Sequence, residues 1–226
     1  MIKSSVFATG LVAMIASSAG ADLLCGWTMA TAVPAGTVGT SYNYGAADQG
    51  VSATGSMLSS SHTAAVTAYS SPAGNGSQYS FSSNNWTAGP GNYYQFAFDA
   101  TGFSNIDVSW DQTRSGTGPA GWSMQMSGDG GATFSTLASY TVIQAGLAGT
   151  NTTSWNATTN QAGVFSNLVI TPFGNGAMVV RLVAGFTAAT AGTSRIDNIV
   201  VNGTAVPAPG ALALVGLAGL VSRRRR

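Results

Sequence analysis

The side chains able to do chemistry in this sequence are few and far apart. Nucleophilic hydrolysis needs a base beside a serine or cysteine, and the chain offers one histidine, His62, and one cysteine, Cys25. His62 lies in a Ser/Thr-rich stretch with no G-x-S-x-G pattern near it and reads as a surface residue. A transition-metal centre needs clustered His or Cys, which a single copy of each cannot provide. Glycosidic-bond hydrolysis takes two carboxyl groups with divergent pKa values. Asp99, Asp107, Asp111, Asp129 and Asp197 are available, but there is no glutamate, and aspartates in turns and at strand ends are ordinary. Gly116-Thr117-Gly118-Pro119-Ala120-Gly121 matches G-x-G-x-x-G by letters alone; it opens no helix, so it implies no dinucleotide site. The residues predict no enzyme.

Three other groupings point to structure or binding. Ser127-Gly128-Asp129-Gly130-Gly131-Ala132-Thr133-Phe134 fits S-x-D-x-G-x-T-[WF], the Asp-box pattern. Ser127 and Asp129 would bond turn amides, Gly131 would permit the turn, and Thr133 and Phe134 would close it, giving a structural hairpin staple. Calcium takes carboxylate and carbonyl oxygens, which makes Asp197 a candidate ligand; an ion pair of Asp197 with Arg195 or Arg181 at the sheet surface is the preferred alternative. Sugar binding needs an exposed aromatic platform with polar donors beside it. Trp86 and Tyr93 flank a Gly-Pro-Gly-Asn turn and are the candidates, with Arg114 as donor. Trp110 and Trp122 alternate with polar residues and read as core, and Trp155 fits either role.

The elements that must position these residues read as strands. Period-2 alternation recurs in Tyr94-Gln95-Phe96-Ala97-Phe98, in Ile106-Asp107-Val108-Ser109-Trp110 and in Trp122 to Ser127, and no helical period persists between Asp22 and Val206. Ala177 to Val183 is apolar except for Arg181, as for a strand covered on both faces. Ser194 to Asn202 reads as a closing strand with Ile196, Asn198 and Val200 on one side. Clusters such as Pro72 to Gly76, Gly89 to Asn92 and Gly128 to Gly131 separate the runs. The pattern predicts an all-β fold: an antiparallel β-sandwich, jelly-roll-like, with terminal hydrophobic targeting helices and irregular edge structure over residues 30–75.

Composition sets the ends apart from the body. The whole chain carries a formal charge of +1, but Asp22 to Val206 holds seven Asp, three Arg and no Lys or Glu, so 3 − 7 = −4. An acidic body without clustered cations is not a nucleic-acid binder. Residues 1–21 read as a signal peptide: Lys3, the apolar run Val6 to Ala16, then Ala19-Gly20-Ala21 for signal peptidase. Bulky Leu24 before Cys25 argues against lipidation. The predicted β-sandwich domain spans 22–204. In the tail, 205–226, a Pro-containing spacer precedes the apolar run Ala211 to Val221, too short for a lasting transmembrane helix, and a basic end.

Val206, Pro207, Pro209 and Gly210, with the apolar run and Arg223, Arg224, Arg225 and Arg226 after them, resemble the PEP-CTERM sorting signal, also catalogued as an ice-binding-protein C-terminal motif. Ala208 stands where the name-giving glutamate would be. The resemblance implies a hydrophobic C-terminal helix, transient inner-membrane contact, processing by an exosortase-like enzyme, and delivery to the cell surface, outer membrane or extracellular matrix. The body, through Ser82-Ser83-Asn84-Asn85-Trp86, Tyr93-Tyr94-Gln95-Phe96 and Arg195-Ile196-Asp197-Asn198-Ile199, resembles galactose-binding-like or carbohydrate-binding jelly rolls. Residues and resemblance together predict an exported, non-enzymatic surface or matrix protein associated with exopolysaccharide. The alternative is a carbohydrate-binding module or adhesin with a discrete aromatic site, in which a structural calcium is the only cofactor considered. Ice binding would need a regular Thr array, which the irregular Thr spacing does not offer.

Overall fold

The computed structural model describes residues 20–144, 146, 154–161, 168–169 and 176–206. The apolar run read as a signal peptide and the tail from Pro207 onward, with the helices expected at both ends, lie outside these residues. In chain order the strands are β1 (Ala21–Trp27), β2 (Ser41–Gly45), β3 (Met57–Ser61), β4 (Tyr69–Ser70), β5 (Phe81–Ser83) and β6 (Tyr93–Asp99). Then come β7 (Phe103–Arg114), β8 (Gly121–Ser127), β9 (Ser135–Thr141), β10 (Leu168–Val169), β11 (Ala177–Ala184) and β12 (Ser194–Ala205).

These strands form two six-stranded antiparallel sheets that stack as a jelly-roll-like sandwich. The first sheet runs β10-β7-β12-β5-β4, with β1 also paired to β12; the second runs β2-β3-β6-β11-β8-β9. Alternation explains the core between them. Tyr94, Phe96, Ile106, Val108, Trp110, Trp122, Met124 and Met126 are all buried, while their chain neighbours turn outward. Aromatic rings join the sheets: Phe81 meets Tyr94 at 5.5 Å between centroids, Trp110 meets Tyr140 at 5.6 Å, and Trp27 meets Phe96 at 6.2 Å.

Strict alternation fails in β12. Asn198 adopts a left-handed φ of 46°, and the register with β7 shifts between Asp197 and Val200. This bulge returns Ile199 and Val201 to the core beside Ile196 and leaves Asp197 and Asn198 together on the outer side. The expected pairing of Ile196 with Asn198 and Val200 on one face is therefore corrected. The 30–75 region also holds more order than its composition suggests, since β3 is an interior strand between β2 and β6. His62, expected at the surface, is buried against the edge of Trp86, with Nδ1 bonded to the Asn85 carbonyl and Nε2 to the Ser83 hydroxyl. Strand β12 continues through Ala205, one residue past the expected domain boundary.

Residues 49–52 run along β1 and bond its backbone at Leu23, Leu24 and Gly26. Gly50 makes this approach possible: its φ is 105°, and a Cβ there would collide with the Leu24 carbonyl. Cys25 lies beneath, fully buried, with its thiol donating to the Ser52 carbonyl at 3.2 Å. Burial pushes the thiol up to about 11. Cys25 should therefore resist iodoacetamide at pH 8 in the folded protein and react once urea unfolds it. Labelling at equal rates in both states would contradict this packing.

Candidate functional site

The outward side of the second sheet carries a polar surface laid out by strand register. Asn43, Ser59, Gln95, Arg181, Gln125 and Thr136 are successive cross-strand partners and form one row across all six strands. Two residues along the strands, Ser41, Ser61, Tyr93, Val183, Ser123 and Ser139 form a second row. Both rows exist because the strands other than β11 mostly alternate an apolar core residue with a polar one facing out, while β11 contributes Arg181 and Val183.

Arg181 is the cation within these rows. Its guanidinium lies 4.3 Å from the Tyr93 ring centroid and 3.8 Å from that of Phe134, so two aromatic rings pack on it. Nε donates to Gln95 Oε1 at 2.7 Å. Phe134 is set by the β8–β9 hairpin. The Ser127 hydroxyl donates to Asp129 at 2.6 Å and accepts from the Gly131 amide at 2.8 Å. Asp129 also accepts from the Ala132 and Thr133 amides and from the Thr133 hydroxyl. These bonds hold the Asp129 carboxyl well below the usual carboxylate range. The hairpin staple thus ends in an aromatic ring lying on the one cation of the row.

Next to this stack is an open depression of about 540 Å³, lined by Pro90, Gly121, Ser123, Gln125, Ser139, Thr141 and Val183 among others. Gln125 links the two features, since it lines the depression and is the cross-strand partner of Arg181. Hydroxyls, an amide and small apolar side chains around a shallow hollow suit a ligand rich in hydroxyl groups.

The structure separates the residues singled out from sequence. Tyr93 sits on this face, half-buried beneath Arg181. Trp86 does not: it is completely buried, its ring 4.9 Å from both Tyr94 and Trp122, with Nε1 donating to the Ser83 carbonyl. A turn next to a tryptophan signals exposure only if the ring points away from the core, and Trp86 points in, so its assignment as a sugar platform is corrected. Arg114 lies at the end of the first sheet and donates to the carbonyls of Val142, Ser115 and Gly116, which ties two loops together. With Arg195 it lines a separate cleft of about 380 Å³ with Ser70, Ser82, Ser115 and Thr193.

Asp197 is also placed differently from either expectation. It is fully buried, and its oxygens accept from the Asn75 amide, the Ser77 hydroxyl and the Asn198 amide at 2.6–2.8 Å. Asp111 accepts from the side-chain amides of Asn75 and Asn198. Neither Arg195 nor Arg181 bonds Asp197: the first donates to the Ala73 carbonyl, and the second lies in the other sheet. Calcium requires six or more oxygens turned inward, whereas N–H and O–H donors face these two carboxylates. The residues present do not fit the ion, and among the described residues no group of three or more His, Cys, Asp or Glu could hold a metal. Burial instead pushes the Asp197 carboxyl up to about 6 and raises Asp111 as well.

Of the residues expected to form a sorting signal, only Val206 is among the described ones. It is exposed, with its amide on the Gly102 carbonyl at 2.8 Å. Sequence reading missed Arg181, Gln95 and Gln125 as partners. The available signal was a lone arginine inside an otherwise apolar strand, but its neighbours come from β6 and β8, and register is not written in any one segment.

No protein-family profile matches the chain, and no curated protein does. Among solved structures, it is similar to the CBM22-1 xylan-binding domain from Paenibacillus barcinonensis Xyn10C, at 9% identity and a TM-score of 0.43, over 84% of this chain and 99% of that one. It is also similar to the K1 cleaved adhesin domain of Lys-gingipain from Porphyromonas gingivalis W83, at 16% identity and a TM-score of 0.40, over 78% and 95%. A third similarity is to the CBM22-1–GH10 modules of Clostridium thermocellum xylanase 10B complexed with xylohexaose, at 11% identity and a TM-score of 0.42. That one spans 81% of this chain and only 28% of the other. Likeness at this level transfers no function, and the chemistry has to come from the chain's own surface.

Proposed function

We propose that this chain is an exported surface domain that binds glycan on the outward face of its second sheet. The observation that carries the reading is the pair of register rows, in which hydroxyl and amide side chains from six strands surround an aromatic-capped arginine. Sugars are held by donors and acceptors set beside a flat apolar surface, and the rings of Tyr93 and Phe134 provide that surface. The face offers binding without hydrolysis. Asp129 is committed to its hairpin, and Asp99, at the end of β6, bonds Thr101. The signal-peptide pattern and the PEP-CTERM-like tail support the rest of the proposal. In it, signal peptidase releases the N-terminus, the tail contacts the inner membrane transiently, and an exosortase-like enzyme delivers the domain to exopolysaccharide at the surface.

Affinity electrophoresis of the full chain against the producing organism's exopolysaccharide tests this. Migration should be retarded, and Tyr93→Ala should weaken the interaction about tenfold without changing secondary structure. A wild-type chain that runs freely through every polysaccharide tried would end the glycan reading.

A further inference from the structure

The Arg181 guanidinium packs on two aromatic rings, Tyr93 and Phe134, and its Nε is taken by Gln95. Its terminal nitrogens find no protein acceptor among the described residues. Nη1 and Nη2 are thus left to a ligand, and a guanidinium presents from that edge parallel N–H groups at the spacing of a carboxylate's two oxygens. The cross-strand neighbours on both sides, Gln95 and Gln125, are amides rather than carboxylates, so nothing in the row neutralises the charge. The two ring contacts and the Gln95 bond restrain the side chain, which reduces the freedom that normally weakens an exposed arginine contact. In a body of net charge −4, this cation owes nothing to general basicity.

We propose that the glycan taken by this face is an acidic one, with the carboxylate of a uronic acid residue seated in plane on Nη1 and Nη2 of Arg181, and the neighbouring sugar units in the hollow beside Gln125. The inference rests on the glycan-binding reading of the same face and narrows it to one substrate class.

Calorimetric titration of the full chain with polygalacturonate and with the same polymer after carboxyl reduction separates the two levels. The carboxylated polymer should bind at least about tenfold tighter, with an advantage that shrinks as salt rises. Arg181→Gln should abolish the preference while leaving the melting temperature within a few degrees. Arg181→Lys should restore only part of it, because the charge returns without the planar fork. Equal binding of both polymers by the wild type would overturn the acidic-glycan inference and leave glycan binding intact. A preference that survives Arg181→Gln and vanishes in Arg195→Gln would also overturn it, by placing the acid in the Arg114–Arg195 cleft. Failure of both polymers to bind, together with free migration in every other polysaccharide, would remove the underlying reading itself.

Discussion

Trp86→Ala is expected to lower stability by roughly 4 kcal/mol, the range for removing a large aromatic from a packed core. Trp86 is fully buried, its ring touches His62, Tyr94 and Trp122, and its indole N–H satisfies the Ser83 carbonyl. Alanine would leave a cavity at the junction of these aromatics and strand that carbonyl. Domains of this kind hold about 5–15 kcal/mol in total, so the variant would be marginal at room temperature. Urea denaturation at pH 7 gives the stability change. Glycan binding, measured where the variant is still folded, should be unchanged, because the ring lies on the opposite side of β6 from the outward rows. A stable variant that has lost binding would reverse both conclusions and return Trp86 to the ligand site.

Between pH 6.5 and 4 the wild-type protein is expected to show a shallow stability profile, because the buried carboxyls of Asp197 and Asp111 oppose buried His62. Asp197 rises from its ordinary 3.8 to about 6 through burial, reinforced by Asp111. The native state therefore binds a proton that the unfolded chain releases, and stability increases as pH falls through that window. His62 falls from 6.5 to about 4, again through burial. The unfolded chain takes up a proton that the native state refuses, and stability decreases over nearly the same range. Each shift of about two units corresponds to roughly 3 kcal/mol. The charged groups near Asp197 are Asp111 and Arg195, while His62 faces Ser83, Tyr69 and Trp86, none of them charged at these pH values. Single substitutions should expose the hidden slopes. Asp197→Asn should lose about 3 kcal/mol from pH 6.5 to 4, and His62→Gln should gain about as much. Denaturation midpoints across that range check the signs, and parallel profiles for all three proteins would show that neither site titrates as described.

Much of the sandwich was legible because period-2 alternation is a local property. Tyr94, Phe96, Trp110, Trp122 and Met124 each announce their face through their immediate neighbours. The candidate site was legible only at Tyr93. Arg181 acquires its meaning from Gln95, Gln125 and Phe134, which reach it through strand pairings across the sheet and through a hairpin. Asp197 misleads for a related reason. The bulge at Asn198 turns it beneath the loop carrying Asn75 and Ser77, and a one-residue irregularity of that kind leaves no periodic trace.

Strand β12 has hydrogen-bonded neighbours along both edges, β7 on one side and β5 and then β1 on the other. Its last pairs join Thr204 to Ala21 and Ala205 to Phe103. Ala21 and Val206 therefore leave the sandwich side by side, and tension between them would open the β1–β12 ladder one pair at a time from its Ala21–Thr204 end. Tension drawn along β12 itself, with β7 and β5 held, would load its flanking hydrogen bonds together in shear. The same strand is weak against one direction of pull and strong against the other.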